Sequence, residues 1–156
     1  MVAIIGNEYT AQIIITMLKQ WDEALCSLEL QQIIPFYEQR STYYDLSQEF
    51  HHLKQYQEFW QQFRLDVPST PQQFHVLRRR MTVYADENMV TFNSFFRITS
   101  MVESTHPNFG WCRQTMCWIK VHEQWKIVHQ HISAPIDLDT GTLKKIEFPL
   151  SIVDES

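Results

Sequence analysis

The chain has 156 residues, of which 44% are hydrophobic and 20% charged, and its formal net charge is -5. This is the composition of one globular domain with a sizeable core, and the negative charge argues against a nucleic-acid partner. No run approaches the roughly 18 apolar residues of a membrane span, and MVAIIGNEYT lacks the basic and apolar regions of a signal peptide, so a cytoplasmic protein is expected.

The cysteines, Cys26, Cys112 and Cys117, fit a reducing compartment. Cys112 and Cys117 lie five apart in one predicted strand, so they face opposite sides and cannot bridge. No C-x-x-C pair signals a metal site, and no motif implies a cofactor. Only 3 glycines and 6 prolines are present, too few for a low-complexity linker. One domain over 1–156 is expected, with a core at about 8–141 and a loosely packed C-terminal extension.

From Glu8 the pattern is helical. Ile14, Met17, Leu18, Trp21, Leu25 and Leu28 form one apolar stripe at spacings of three and four. A second helix is predicted from about Leu28 to Tyr37, kinked or cut short by Pro35. Ser41 to Leu46 reads as a short strand. A third helix covers Leu53 to Leu65, with Leu53, Tyr56, Phe59, Trp60 and Phe63 on its buried stripe, and Pro68 and Pro71 end it.

The rest reads as strand. Phe74 to Tyr84 and Met89 to Val102 flank a turn at Asp86-Glu87-Asn88, and His106-Pro107-Asn108 breaks the chain. Arg78-Arg79-Arg80 falls inside the first of these strands and reads as a solvated or salt-bridged sheet face rather than a phosphate site. Trp111 to Val121 and Trp125 to Ser133 form a hairpin around His122-Glu123-Gln124. Helices first and consecutive strands after them argue an α+β domain, a cone-shaped, strongly curved antiparallel sheet backed by three N-terminal helices around a cavity. The bare outer face of such a sheet suits a homodimer, with Trp118 or Trp125 on it if they are not in the core.

Several residues can carry chemistry. Asp45, at a strand end, is either a proton-transfer base or a carboxylate bonding local amides. His129 and His131, two apart in a strand, share a face and can serve as acid, base or ligand anchor, but a metal needs a third ligand that the sequence does not signal. Arg113 is either a carboxylate clamp or a sheet salt bridge. Trp21, Tyr44 and Trp60 suit a small apolar ligand, or simply pack in the core. The hairpin leaves a register question open. A two-residue turn places Arg113 and Cys117 on the face opposite the histidines, whereas a three-residue turn puts them on the same face.

The hairpin phrase R-x-T-x-C-W-x-K, a turn, then W-K-I-V-H-Q-H-I-S-A-P, resembles the closing strands of the SnoaL-like, ketosteroid-isomerase-like branch of the nuclear transport factor 2 superfamily. PFYEQRSTYYDLS, Pro35 to Ser47, is similar to that family's helix-to-strand passage, and Trp60 is a third point of likeness. The resemblance spans about Glu8 to Gly141. It implies a pocket protein of a group that holds isomerases, dehydratases, cyclases and binding modules. It also implies a general base at Asp45 and oxyanion donors at the positions of Trp21 and Cys117. The family's isomerases carry a tyrosine and an aspartic acid at those two donor positions.

Overall fold

The computed structural model describes residues 1–66, 74–100 and 110–148, with the backbone alone for 63–66 and 100. Strand β1 (Ala3–Gly6) opens the chain, followed by α1 (Glu8–Ser27), α2 (Leu30–Ile33) and a single 3-10 turn at Ile34–Phe36. Next come β2 (Tyr37–Tyr44), β3 (Glu49–Phe50) and α3 (Leu53–Asp66). Strands β4 (Phe74–Ala85), β5 (Met89–Ser100), β6 (Cys112–Val121) and β7 (Gln124–Ser133) complete the fold. Pro68, Pro71 and the break at His106-Pro107-Asn108 lie outside the described residues.

The domain is α+β, as the order of elements implies. One seven-stranded sheet runs β1-β4-β5-β6-β7-β2-β3. Its centre, β4 to β7, is an antiparallel meander. The sheet is nevertheless mixed, because β1 joins β4 in parallel and β2 joins β7 in parallel. Shifts of register at Arg79/Thr82 and Cys117/Trp118 mark bulges, which bend and twist the strands that carry them, and the β2–β7 pairing is interrupted between Tyr37 and Thr42.

Local chemistry explains the boundaries. Asn7 caps α1 by accepting from the Thr10 amide at 2.9 Å. Leu28 ends that helix in the left-handed region at φ 57°. The second helix is shorter than expected, because Pro35 has no amide hydrogen and the backbone tightens to 3-10 and then extends at Tyr37. Strand β2 therefore begins four residues before the predicted Ser41. Strand β1 escapes sequence reading because it is a short edge. At its end Gly6 packs so closely that a Cβ there would lie 2.1 Å from the Ala85 carbonyl oxygen.

The helices cover one face of the sheet. Ile14, Leu18, Trp21 and Leu25 from α1 and Leu53, Tyr56 and Trp60 from α3 meet Val83, Phe92, Phe96, Met116, Trp118 and Ile127 from the sheet. Each of these side chains stabilises the fold by roughly 1.5–3 kcal/mol through burial. Trp118 and Trp125 both belong to this core, so neither supplies the outer face. In the C-terminal extension, residues 142–148 are largely exposed. Phe148 packs edge-on against Phe95 at 5.3 Å and Trp111 at 4.9 Å.

Candidate functional site

Two polar groups of side chains interrupt the apolar packing between helices and sheet. The first is aromatic. Trp21 Nε1 donates to Tyr37 Oη at 3.2 Å, and Tyr37 Oη donates to Gln130 Oε1 at 2.6 Å. The Tyr56 ring from α3 lies 5.1 Å from Tyr37 and 5.0 Å from Tyr43, and meets Trp60 edge-on at 6.1 Å. Burial pushes Tyr37 and Tyr43 well above the ordinary phenol value and Tyr56 up to about 12. All three therefore remain phenols at neutral pH and act as donors, not bases.

Asp45 stands at the rim of this group, just past the end of β2. It shares a side with Tyr43, two residues earlier, because strand side chains alternate. One of its oxygens accepts from the Leu46 amide at 2.8 Å. Burial raises its pKa above the ordinary carboxylate value, while the Leu46 amide and the Tyr43 hydroxyl pull it back. Its charge in turn helps raise the Cys112 thiol, after the larger effect of burial, which places Asp45 within electrostatic reach of the inner face of β6. A half-buried carboxylate among neutral hydroxyls is a competent proton acceptor.

The second group is an ion pair with two amide and hydroxyl partners. Arg78 Nε and NH2 grip Asp22 at 2.8 and 2.6 Å. Its NH1 donates to Ser94 Oγ at 3.0 Å and to Gln114 Oε1 at 2.8 Å. Burial pushes the Asp22 carboxyl up, and the Arg78 guanidinium opposes it. The guanidinium also lies over Phe92 and Phe96. The Arg78-Arg79-Arg80 run is thus divided. Arg78 turns inward to a salt bridge, while Arg79 and Arg80 lie over Trp111 and Phe148.

Of the residues singled out from sequence, Asp45, Trp21 and Trp60 gather on the helix side. Tyr44, Arg113, Cys117, His129 and His131 occupy the opposite, outer face. The hairpin explains this. Its turn holds two residues, His122 and Glu123, with Val121 paired to Gln124. That register alone would separate Cys117 from the histidines. A bulge beside Val128 then shifts the pairing by one, so Cys117 faces His129 and Arg113 faces Ser133. Both sets therefore share one face, and Met116 and Gln130 take the inner one. Cys117 consequently lies across the sheet from Trp21, and the two do not share a site.

On that outer face His129 Nδ1 bonds Thr42 Oγ1 at 2.7 Å, and the Tyr44 ring meets His129 and His131 edge-on at 5.2 and 5.7 Å. Burial, then the neighbouring His131, lowers the His129 pKa. Among the described residues no three His, Cys, Asp or Glu side chains are arranged to hold a metal ion, and no helix is long and apolar enough to cross a membrane.

Sequence reading did not single out Tyr37, Tyr43, Gln114, Gln130 or the Asp22–Arg78 pair. One signal was present. Gln114 and Gln130 are polar residues that alternate with Cys112, Met116 and Ile132 on buried strand positions, but the unseen bulge concealed their phase.

Residues 14–137 match the profile of the SnoaL-like domain. No protein of curated function matches the chain. Among solved structures, the chain is similar to an NTF2-like protein of unknown function from Pseudomonas putida KT2440. The identity is 20% and the TM-score 0.78, over 92% of this chain and 99% of that one. It is also similar to a candidate calcium/calmodulin-dependent protein kinase II association domain from Xanthomonas campestris, at 14% identity and TM-score 0.64 over 79% and 86% of the two chains. A candidate ketosteroid isomerase from Shewanella frigidimarina NCIMB 400 superposes with TM-score 0.59 and 15% identity over 76% of this chain and 92% of that one. At these identities the likeness is one of fold.

Proposed function

Since the chain belongs to the SnoaL-like domain family, with 14–137 matching it, we propose that it binds a small apolar carbonyl compound between its helices and its sheet and moves a proton there with Asp45 as the base. The observation that carries this reading is the Asp45 carboxyl, half-buried beside Tyr43 and raised in pKa by that burial. Such a shift brings a carboxylate closer to the basicity needed to remove a proton next to a carbonyl. Tyr37, Tyr43, Tyr56 and Trp60 supply apolar area with neutral polar tips. His129 and His131 point to the other face and have no part in this step.

A naphthyl methyl ketone, 2-acetylnaphthalene, tests the reading. Deuterium uptake at its methyl group, followed by NMR in heavy water, is expected with the native chain. Asp45→Asn keeps the shape and removes the base, and exchange is expected to fall by about 100-fold or more. Exchange at the native rate in that variant rules out Asp45 as the base.

A second reading, a non-catalytic association module, draws on the outer face. Ile5, Leu77, Tyr84 and Met89 alternate onto it and are each more than a third exposed. We propose that this face joins two copies of the chain. The two readings are compatible, since they use opposite sides of one sheet.

A further inference from the structure

We propose that Gln114 anchors the oxygen of the bound carbonyl compound, its Nε2 donating to that oxygen. This inference rests on the reading that a small molecule lies between helices and sheet. It adds to it the group that recognises the ligand and the chemical class recognised.

Gln114 is 1% exposed, and its amide orientation is fixed by its neighbours. Arg78 NH1 can only donate, so the atom 2.8 Å away is the amide oxygen. Arg78 is itself held by both oxygens of Asp22. The chain of contacts from α1 through β4 to β6 therefore presents the Gln114 NH2 group away from Arg78. That nitrogen is buried and has no acceptor among the described residues. A buried amide donor without a partner is a costly feature, and leucine or methionine at the same strand position avoids it. An acceptor supplied by a ligand removes the cost.

The site's charge narrows the ligand. Asp22 neutralises Arg78, so Gln114 offers a neutral donor in a neutral setting. Asp45 lies within electrostatic reach of Cys112, two residues before Gln114 on the same face of β6. A nearby carboxylate disfavours an anionic ligand. The geometry thus favours an uncharged, mainly apolar molecule with a carbonyl or similar acceptor oxygen. In the proton-transfer step, Asp45 takes the proton on the carbon beside the carbonyl. The C–H electron pair forms the new C=C bond, and the carbonyl π pair moves onto the oxygen held by Gln114. Return of the proton from Asp45 to carbon closes the cycle, with no oxidant or reductant. An amide cannot give up its proton to the oxygen, so its contribution is one of binding and charge stabilisation.

The test compares 2-acetylnaphthalene with 2-isopropenylnaphthalene, in which CH2 replaces the oxygen at nearly constant shape. Binding is read from tryptophan fluorescence, and the hydrogen bond from the infrared carbonyl stretch of the bound, carbon-13-labelled ketone. The native chain is expected to prefer the ketone by about tenfold or more, with the stretch moved to lower frequency than in hydrocarbon solvent. Gln114→Leu is expected to abolish both the preference and the shift. Equal binding of the two probes, an unshifted stretch, or a preference that survives Gln114→Leu overturns the inference. If Gln114→Leu fails to fold, the native comparison and the stretch still decide it, with Gln114→Met as a second variant. Should neither probe bind, the interior ligand site falls with it. Should Asp45→Asn exchange at the native rate while the Gln114-dependent preference holds, proton transfer fails and this inference stands.

Discussion

As the base proposed above, Asp45 would serve function at the expense of stability. Its pKa in the folded chain lies above the unfolded value of 3.8, chiefly because burial disfavours its charge. Between those two values the folded chain binds more protons than the unfolded one, so stability falls as pH rises through that window. The deficit is complete above the folded value. Asp45→Asn removes the charge and retains an oxygen for the Leu46 amide. Its thermal midpoint is therefore expected to exceed that of the native chain at pH 7, on the order of 2 °C. The gap should close as pH falls towards 3.8. Melting curves at pH 7 and pH 4 check this, and a variant less stable at pH 7 contradicts the sign. Tyr37, Tyr43 and Tyr56 feel the same effect of burial. They are neutral groups made harder to ionise, so they keep their protons in the same setting.

Among the elements, the β6–β7 hairpin decides which residues meet. Its turn places His122 at φ 48° and Glu123 at φ 63°. Both values belong to a type I′ turn, which suits the twist of the strands but favours Asn and Gly over His and Glu. The double change His122→Asn, Glu123→Gly is expected to stabilise the chain by about 1 kcal/mol or more, by relieving strain in the left-handed region. A urea midpoint that stays put or falls would count against this account. Farther along, the bulge beside Val128 turns β7 over relative to β6. That one residue sends His129 and His131 outward and Gln130 inward to Tyr37. The bulge in β4, where Arg80 stands at φ 49°, lets Arg78 face Asp22 while Val83 keeps its place in the core.

For the molecule as a whole, the sheet has two unlike faces. Helices and the candidate site take one. The other carries the exposed Ile5, Leu77, Tyr84 and Met89, with Phe148 of the C-terminal segment against Phe95. A homodimer through this second face predicts twice the 18.7 kDa chain mass in light scattering at tens of micromolar. Ile119, paired with Met89 and directed outward, lies within the proposed contact. Ile119→Asp should yield the single-chain mass while leaving ketone binding in the interior unchanged. A native chain that scatters as a monomer sinks the dimer.

Much of this architecture was written locally. The stripe Ile14, Leu18, Trp21 and Leu25 specified α1, and the stripe Leu53, Tyr56 and Trp60 specified α3. Two runs of aromatic and β-branched residues with a very short connection specified the β6–β7 hairpin, and the phrases around Pro35 to Ser47 and Arg113 to Pro135 carried the resemblance to the family. These signals depend on periodicity and short-range sterics, which a chain displays without its neighbours. Tertiary structure alone decided the faces. A bulge adds one residue with no compositional mark, and it reverses every side chain beyond it. It was therefore the sheet, not the spacing, that separated His129, His131, Arg113 and Cys117 from Asp45 and Trp21. Long-range pairing also joined Asp22 to Arg78 and Tyr37 to Gln130, because hydrogen bonds between residues 56 and 93 positions apart leave no periodic trace in the sequence.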